Sequence, residues 1–339
     1  ILAVFMGGAL TLFAARAATM EAKGIFALVS RESALVVNNI LLAVAALVVF
    51  TGTIWPLVAE LALGRKLSVG APFFNLAFTP FMVVLGIVLP VGAMLPWKRA
   101  RVGRVVRSLV PAFVLAIAIA ALAFAMQSGR SALGPIGLFL GTWLVFGSLT
   151  DLWSRRGRSG QRFGRLLRLP RADMGKMVAH SGLGITMIGI SAMMAWQTED
   201  IRVLKAGESV HLSGYDVTLN DVQRFQGPNY FGTRGDFTLA KSGREITHMY
   251  PEKRVYPVAK MPTTEAAIDI GIWRDIYVVI GDPQDNGGWA VRSYYKPLAN
   301  WIWGGAILMA LGGALSLSDR RYRVAAGARK ARTQGVPAE

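Results

Sequence analysis

Residues 177–219 read MVAHSGLGITMIGISAMMAW followed by QTEDIRVLKAGESVHLSGYDVTL, and the fold turns on the change of pattern between the two halves. The first half is twenty residues long and contains no Asp, Glu, Lys or Arg. That is the length of a helix that crosses a bilayer. Beyond it the apolar residues alternate, with Val210, Leu212, Tyr215, Val217 and Leu219 placed around Ser213-Gly214. A period of two interrupted by a turn pair is the pattern of a β-hairpin.

Six more apolar stretches lie outward from this one, at about 1–15, 34–54, 75–95, 109–126, 133–152 and 298–317. The first is short, begins without Met and lacks a basic leader. It is therefore expected to be the middle of a helix cut from a longer chain, not a signal peptide. Hydrophobic residues make up 53% of the chain and charged residues 17%, against about 25% charged in a soluble domain. The expected fold is a polytopic α-helical membrane protein of about seven transmembrane helices, the first truncated. A helical bundle of six spans occupies 1–196, a β-domain 197–297, the last span 298–317 and a basic tail 318–339. Two further hairpin signals support the β-domain. Segments 236–240 and 245–250 flank Lys241-Ser242-Gly243-Arg244, and 276–280 and 289–295 flank Asp285-Asn286-Gly287-Gly288. The chain has no cysteine, which excludes thiol chemistry, Cys-ligated zinc and iron–sulfur clusters within it.

The net charge of +17 raises two partner classes, nucleic acid and anionic lipid. Its distribution separates them. The loops on one side of the spans (15–33, 96–108, 153–176, 318–339, with Asp151) hold 22 Lys and Arg against 6 Asp and Glu. Those on the other side (55–74, 127–132, 197–297) hold 15 against 14. Basic excess marks the cytoplasmic side. The β-domain then lies outside, in the periplasm of a Gram-negative cell, and the C-terminus lies in the cytoplasm. The Arg-rich run 155–171 sits between two spans, so membrane anchoring explains it and no nucleic-acid partner is expected.

His180 is the candidate site. It lies near the cytoplasmic start of its span, and an ionisable group inside a membrane is costly and points to function. His180, Gly184, Met187 and Ser191 share one helical stripe. Gly182, Thr186 and Gly189 form a neighbouring row of small residues. Such a row lets another helix approach closely; it would equally let a flat macrocycle lie beside a His ligand. The residues alone leave both uses open. His211 and His248 have no Cys, second His or carboxylate at ligand spacing and are expected to be structural. Asn38 and Asn39, near a membrane edge, are expected to make interhelical hydrogen bonds. The aromatic run Tyr294-Tyr295 through Trp301-Ile302-Trp303 reads as an interface belt, with stacking on a porphyrin as the alternative. There is no Walker, HExxH or GxSxG motif.

Several segments, taken in order, carry a resemblance: Ser30-Arg31-Glu32 with Asn38-Asn39, Gly52-Thr53-Ile54-Trp55-Pro56-Leu57, and Ser68-Val69-Gly70-Ala71-Pro72-Phe73-Phe74-Asn75. They continue with Ala179-His180-Ser181-Gly182, and with Lys296-Pro297-Leu298 leading to Trp301-Ile302-Trp303-Gly304-Gly305. With these the chain resembles the C-terminal half of the CcmF-type cytochrome c haem lyases, over essentially all its length; NrfE-like lyases are similar. The resemblance implies an inner-membrane protein that takes haem from the chaperone CcmE. It implies work with CcmH/CcmI-type subunits that hold reduced apocytochrome c, and thioether attachment of haem to CxxCH cysteines. It also implies a structural haem b held between two transmembrane histidines, able to accept electrons from a quinol. His180 matches the second of those histidines, the iron ligand, with Gly182 and Gly184 beside it. The Trp-rich segment, the first haem b ligand and the two periplasmic haem ligands of the family have no counterpart here. These residues alone are therefore expected to be inactive. The competing readings are a membrane permease or haem-export channel subunit without covalent chemistry, and a scaffold whose β-domain docks partners.

Overall fold

The computed structural model describes residues 2–17, 27–128, 132–155, 169–258, 260–285 and 287–319. Most of the Arg-rich run, Asn286 of the second hairpin signal and nearly all of the basic tail lie outside the described residues. Five of the described helices are long and apolar enough to cross a membrane, or six if one bent pair counts as a single span. The chain is a multi-span helical membrane protein carrying a β-domain. It divides into two compact units at residues 107/108.

The first unit holds α1 (Leu2–Arg16), α2 (Arg31–Leu63), α3 (Ala71–Ala77) and α4 (Thr79–Met94). With 15 residues, α1 is shorter than a span. α2 has 33 residues and reaches about 50 Å, beyond the ~30 Å hydrocarbon layer. Ser30 caps its start by accepting from the Ser33 amide, and Gly64 ends it at φ +60°. The expected span 75–95 is broken into α3 and α4, which meet at 45°. Pro80 explains the break, since it has no N–H for the preceding turn. Gly52 makes room for this corner: a Cβ there would lie 2.7 Å from the Phe73 ring. The Ser30-Arg31-Glu32 motif ties α2 to the loop after α4. The Glu32 carboxylate accepts from the Lys98 amide at 2.9 and 3.0 Å, and Arg31 lies over the Trp97 ring. Asn38 donates to Asn39 at 3.3 Å, a bond between neighbours where an interhelical one was expected.

The second unit contains α5 (Val102–Met126) from residue 108 on, then α6 (Leu133–Ser154), α7 (Arg171–Trp196), ten strands and α8 (Ala299–Leu317). The strands form a sandwich. One sheet has the order β1-β10-β9-β8, using β1 (Thr198–Leu204), β8 (Ala267–Ile270), β9 (Arg274–Pro283) and β10 (Trp289–Pro297). The other has the order β2-β3-β4-β6-β7, with β5 paired to β4. It uses β2 (Ser209–Leu212), β3 (Tyr215–Gln226), β4 (Phe231–Lys241), β5 (Arg244–Met249), β6 (Glu252–Tyr256) and β7 (Met261–Glu265). All pairings are antiparallel. Val210, Val217, Leu219, Phe237, Leu239, Ile276, Val278 and Val291 fill the core. Each such side chain contributes roughly 1.5–3 kcal/mol by burial. Ser213-Gly214 and Ser242-Gly243 both have positive φ at both positions, the geometry of the two-residue turns that match strand twist.

Candidate functional site

His180 sits on α7, which packs between α6 and α8 in the second unit. The two stripes read from the sequence face different neighbours. The row Gly175, Gly182 and Gly189 repeats every seven residues and runs antiparallel along α8. A Cβ on Gly182 would lie 2.6 Å from the Gly305 carbonyl oxygen and 2.7 Å from the Met309 nitrogen. Gly175 meets Gly312, and Gly189 meets Leu298 and Ile302 in the same way. Thr186 seals this face by donating to the Ile302 carbonyl at 3.2 Å. The opposite stripe packs on α6. A Cβ on Gly184 would lie 2.7 Å from the Gly141 carbonyl oxygen, and Gly137 and Gly134 receive Ser191 and Ala195. Small residues thus bring three helix backbones together, as expected where lipid offers no hydrophobic drive for helix association. The volume directly over Gly182 and Gly184 is filled by α8 and α6. In these contacts the glycines serve helix packing, and they set the rotation of α7 that presents His180.

His180 is half-buried on the edge of the α6-facing stripe. One turn toward the helix start, an ion cluster closes the end of the α6–α7 pair. Asp151 of α6 is buried, with Lys176 at 2.6 Å and Arg155 at 3.0 Å; Arg155 also reaches Asp173 at 3.0 Å. Buried carboxylates persist only with such partners. Pro170 cannot cap α7 with a side chain; Asp319, after α8, accepts from the Ala172 amide at 3.0 Å. That contact joins residues 147 apart. Along the sequence Asp151 and Lys176 figure only as charges in the loop count. Lys176 and His180 stand four residues apart, and that spacing is the signal that places the cluster beside the candidate ligand.

The other end of α7 is held by the Trp196 indole, which donates to the Met126 carbonyl at 2.9 Å. His211 and His248 lie on the sandwich, far along the chain from α7 and each with a carboxylate across the strand pair. His211 Nδ1 is 2.8 Å from Asp216, and His248 Nδ1 is 2.8 Å from Asp236 with Nε2 3.3 Å from Glu245. The pairing register His211↔Asp216 and Thr238↔His248 creates these contacts. These partners come from the strand pairing, which spacing along the sequence does not show. Among the described residues no group of three or more His, Cys, Asp or Glu could hold a metal ion. A haem iron would thus find one imidazole donor on the spans of this chain, His180. Neutral imidazole is the right chemistry for an axial ligand, and a second axial ligand would come from outside the described spans.

A family of membrane proteins built from apolar helices and a β-sandwich inserted before the last span is the class this architecture defines. Residues 195–297 match the family model described as the CcmF C-terminal beta-sandwich. The chain is 61% identical over 333 residues to the cytochrome c-type biogenesis protein ccl1 of Rhodobacter capsulatus, covering 98% of this chain and 50% of that protein. It is 38% identical to CcmF of Escherichia coli, covering 98% and 50%. It is 30% identical to NrfE of Haemophilus influenzae, covering 92% and 48%. A solved cytochrome c heme lyase CcmF shares the fold at a TM-score of 0.67 and 23% identity, over 86% of this chain and 46% of that one. The chain belongs to the CcmF family of cytochrome c-type biogenesis proteins and spans about half the length of the relatives it matches.

Proposed function

We propose that this chain is part of a cytochrome c haem lyase and that His180 is one axial ligand of a haem b held within the membrane. In this reading the whole protein receives haem from haem-loaded CcmE. It acts with CcmH/CcmI-type subunits that present reduced apocytochrome c, and joins haem vinyl groups to CxxCH cysteines as thioethers. It works in the inner membrane with the sandwich in the periplasm. The observation that carries the reading is the placement of His180: an imidazole on a span, half-buried, on a helix clamped from both sides by glycine contacts. The clamp fixes the rotation of α7 and with it the direction in which the His180 side chain leaves the helix, which a ligand needs. Gly182 and Gly184 serve through that clamp. A haem b supplies one-electron redox chemistry when bound, with a quinol as its donor in this proposal. The Asp151–Lys176–Arg155 cluster fixes the end of α7 nearest His180.

The test is the reduced-minus-oxidised visible spectrum of the full-length protein, with His180 intact and as His180→Ala. The expected result is a low-spin b-type signal that the substitution abolishes. An unchanged spectrum, or no haem in either protein, makes His180 a packing residue and sinks the assignment.

A further inference from the structure

We propose that the end of the β-sandwich nearest the helices is a lipid-contacting surface, with Ile270, Ile272 and Trp273 entering the headgroup layer of the membrane that α8 spans. These three side chains lie within four consecutive residues and are 70%, 72% and 68% exposed. Ile270 ends β8 and Ile272 and Trp273 lie in the turn to β9, a place where a sandwich surrounded by water carries polar residues.

The turn is bound to the first residues of α8 and is held at their height. The Leu298 amide donates to the Trp273 carbonyl at 2.9 Å, and the Trp301 indole donates to the Ile272 carbonyl at 3.0 Å. Asn300 donates to the Gly271 carbonyl and to Asp275, both at 2.8 Å. The first turn of a membrane span sits at the water–lipid interface, where Trp is enriched. Trp273 and Trp301 lie there as a pair with ring centres 5.7 Å apart, and Trp303 is 71% exposed. What covers the apolar turn is fixed by this continuity: the same lipid that covers α8.

The charges at this end agree. Arg274 and Lys241 flank the Tyr215 ring at 4.7 and 4.8 Å, which brings the β4–β5 turn with exposed Arg244 to the same end. Lys296 lies 3.8 Å from the centre of the Tyr277 ring. Arg274 is ion-paired to Asp269, while Lys241 and Arg244 are exposed; basic groups beside Trp and Tyr suit phosphate headgroups above an apolar layer. A bond between Thr198, just past α7, and Ser213 in the β2–β3 turn adds a second tether. The sandwich is thus fixed upright by two spans and a lipid-seated turn.

The test uses the full chain as the cell makes it, in phospholipid bilayers, with any cysteine outside these residues removed. A nitroxide is attached at Ile272→Cys and, separately, at Asp285→Cys in the far β9–β10 turn. Collisions with oxygen, which enters lipid, are compared with collisions with a polar nickel chelate, which does not. The expected ratio is about tenfold higher at 272 than at 285, as for a side chain about 5–10 Å into the interface. Trp273→Cys should behave as 272 does. Equal ratios at 272 and 285 would place the turn in water and overturn the proposal. Loss of collisions with both probes at 272 would mean that protein covers it, and would overturn it equally. Neither outcome touches the haem assignment, which rests on His180 alone.

Discussion

His248 shows how one residue's environment is set by strand register. The Asp236 carboxylate across the β4–β5 pair hydrogen-bonds its Nδ1 and raises its pKa above the ordinary 6.5, with Glu245 adding to the effect. A histidine whose pKa rises on folding binds its proton more tightly in the native state. Its stabilising contribution is fully present below about pH 6.5 and fades as pH climbs through the folded value. A titration of the histidine ring resonances should therefore give His248 a midpoint above 6.5. Asp236→Asn should bring that midpoint back toward 6.5 and flatten the acid-side gain in sandwich stability. A midpoint at or below 6.5 in the unaltered chain would show that the Asp236 contact does not form. The side chain is 39% exposed, so the effect is small beside core burial.

At the scale of elements, the α7–α8 contact is the one with the least slack. A methyl on Gly182 would meet backbone atoms at 2.6 and 2.7 Å, which no side-chain rotation relieves. Gly182→Ala should cost about 1–3 kcal/mol by overpacking and lower the thermal unfolding midpoint of the detergent-solubilised protein. Gly304→Ala, one residue from the crowded Gly305 but with nothing within 4 Å, should leave stability unchanged or raise it by up to about 1 kcal/mol. Equal midpoints for the two variants would refute the clamp. This contrast also marks how far sequence carries. The spans and the hairpins at Ser213-Gly214 and Ser242-Gly243 were legible, because length, period and turn chemistry are local. His180 stood out as an ionisable group in a span. The use of Gly182 and Gly184 was not legible, because a small residue suits a helix and a macrocycle alike until a neighbour is seen. The cap that Asp319 gives α7 and the Asp151–Lys176 pair were hidden for another reason: their partners meet only in three dimensions. Pro80 carried a local signal for the break in the third expected span, and the apolar run around it masked that signal.

For the whole molecule, the charge asymmetry of the loops and the tertiary structure make one joint claim about orientation. The Asp151–Arg155–Asp173–Lys176 cluster closes one end of the α6–α7 pair, and the sandwich grows from the other end of α7. Basic loops stay in the cytoplasm because translocating Lys and Arg is unfavourable, so the proposed topology puts the cluster end inside and the sandwich outside. In cells whose outer membrane has been made permeable, a membrane-impermeant maleimide should label Asp285→Cys at once. It should label Ser154→Cys, at the end of α6, only after the inner membrane is broken. The reverse pattern would invert the topology, and with it the proposal that the sandwich shares a compartment with apocytochrome c. The expected pattern would set His180 toward the inner leaflet and the sandwich on the outer face. A one-electron carrier at His180 would then stand between a donor dissolved in the membrane and chemistry performed on the far side.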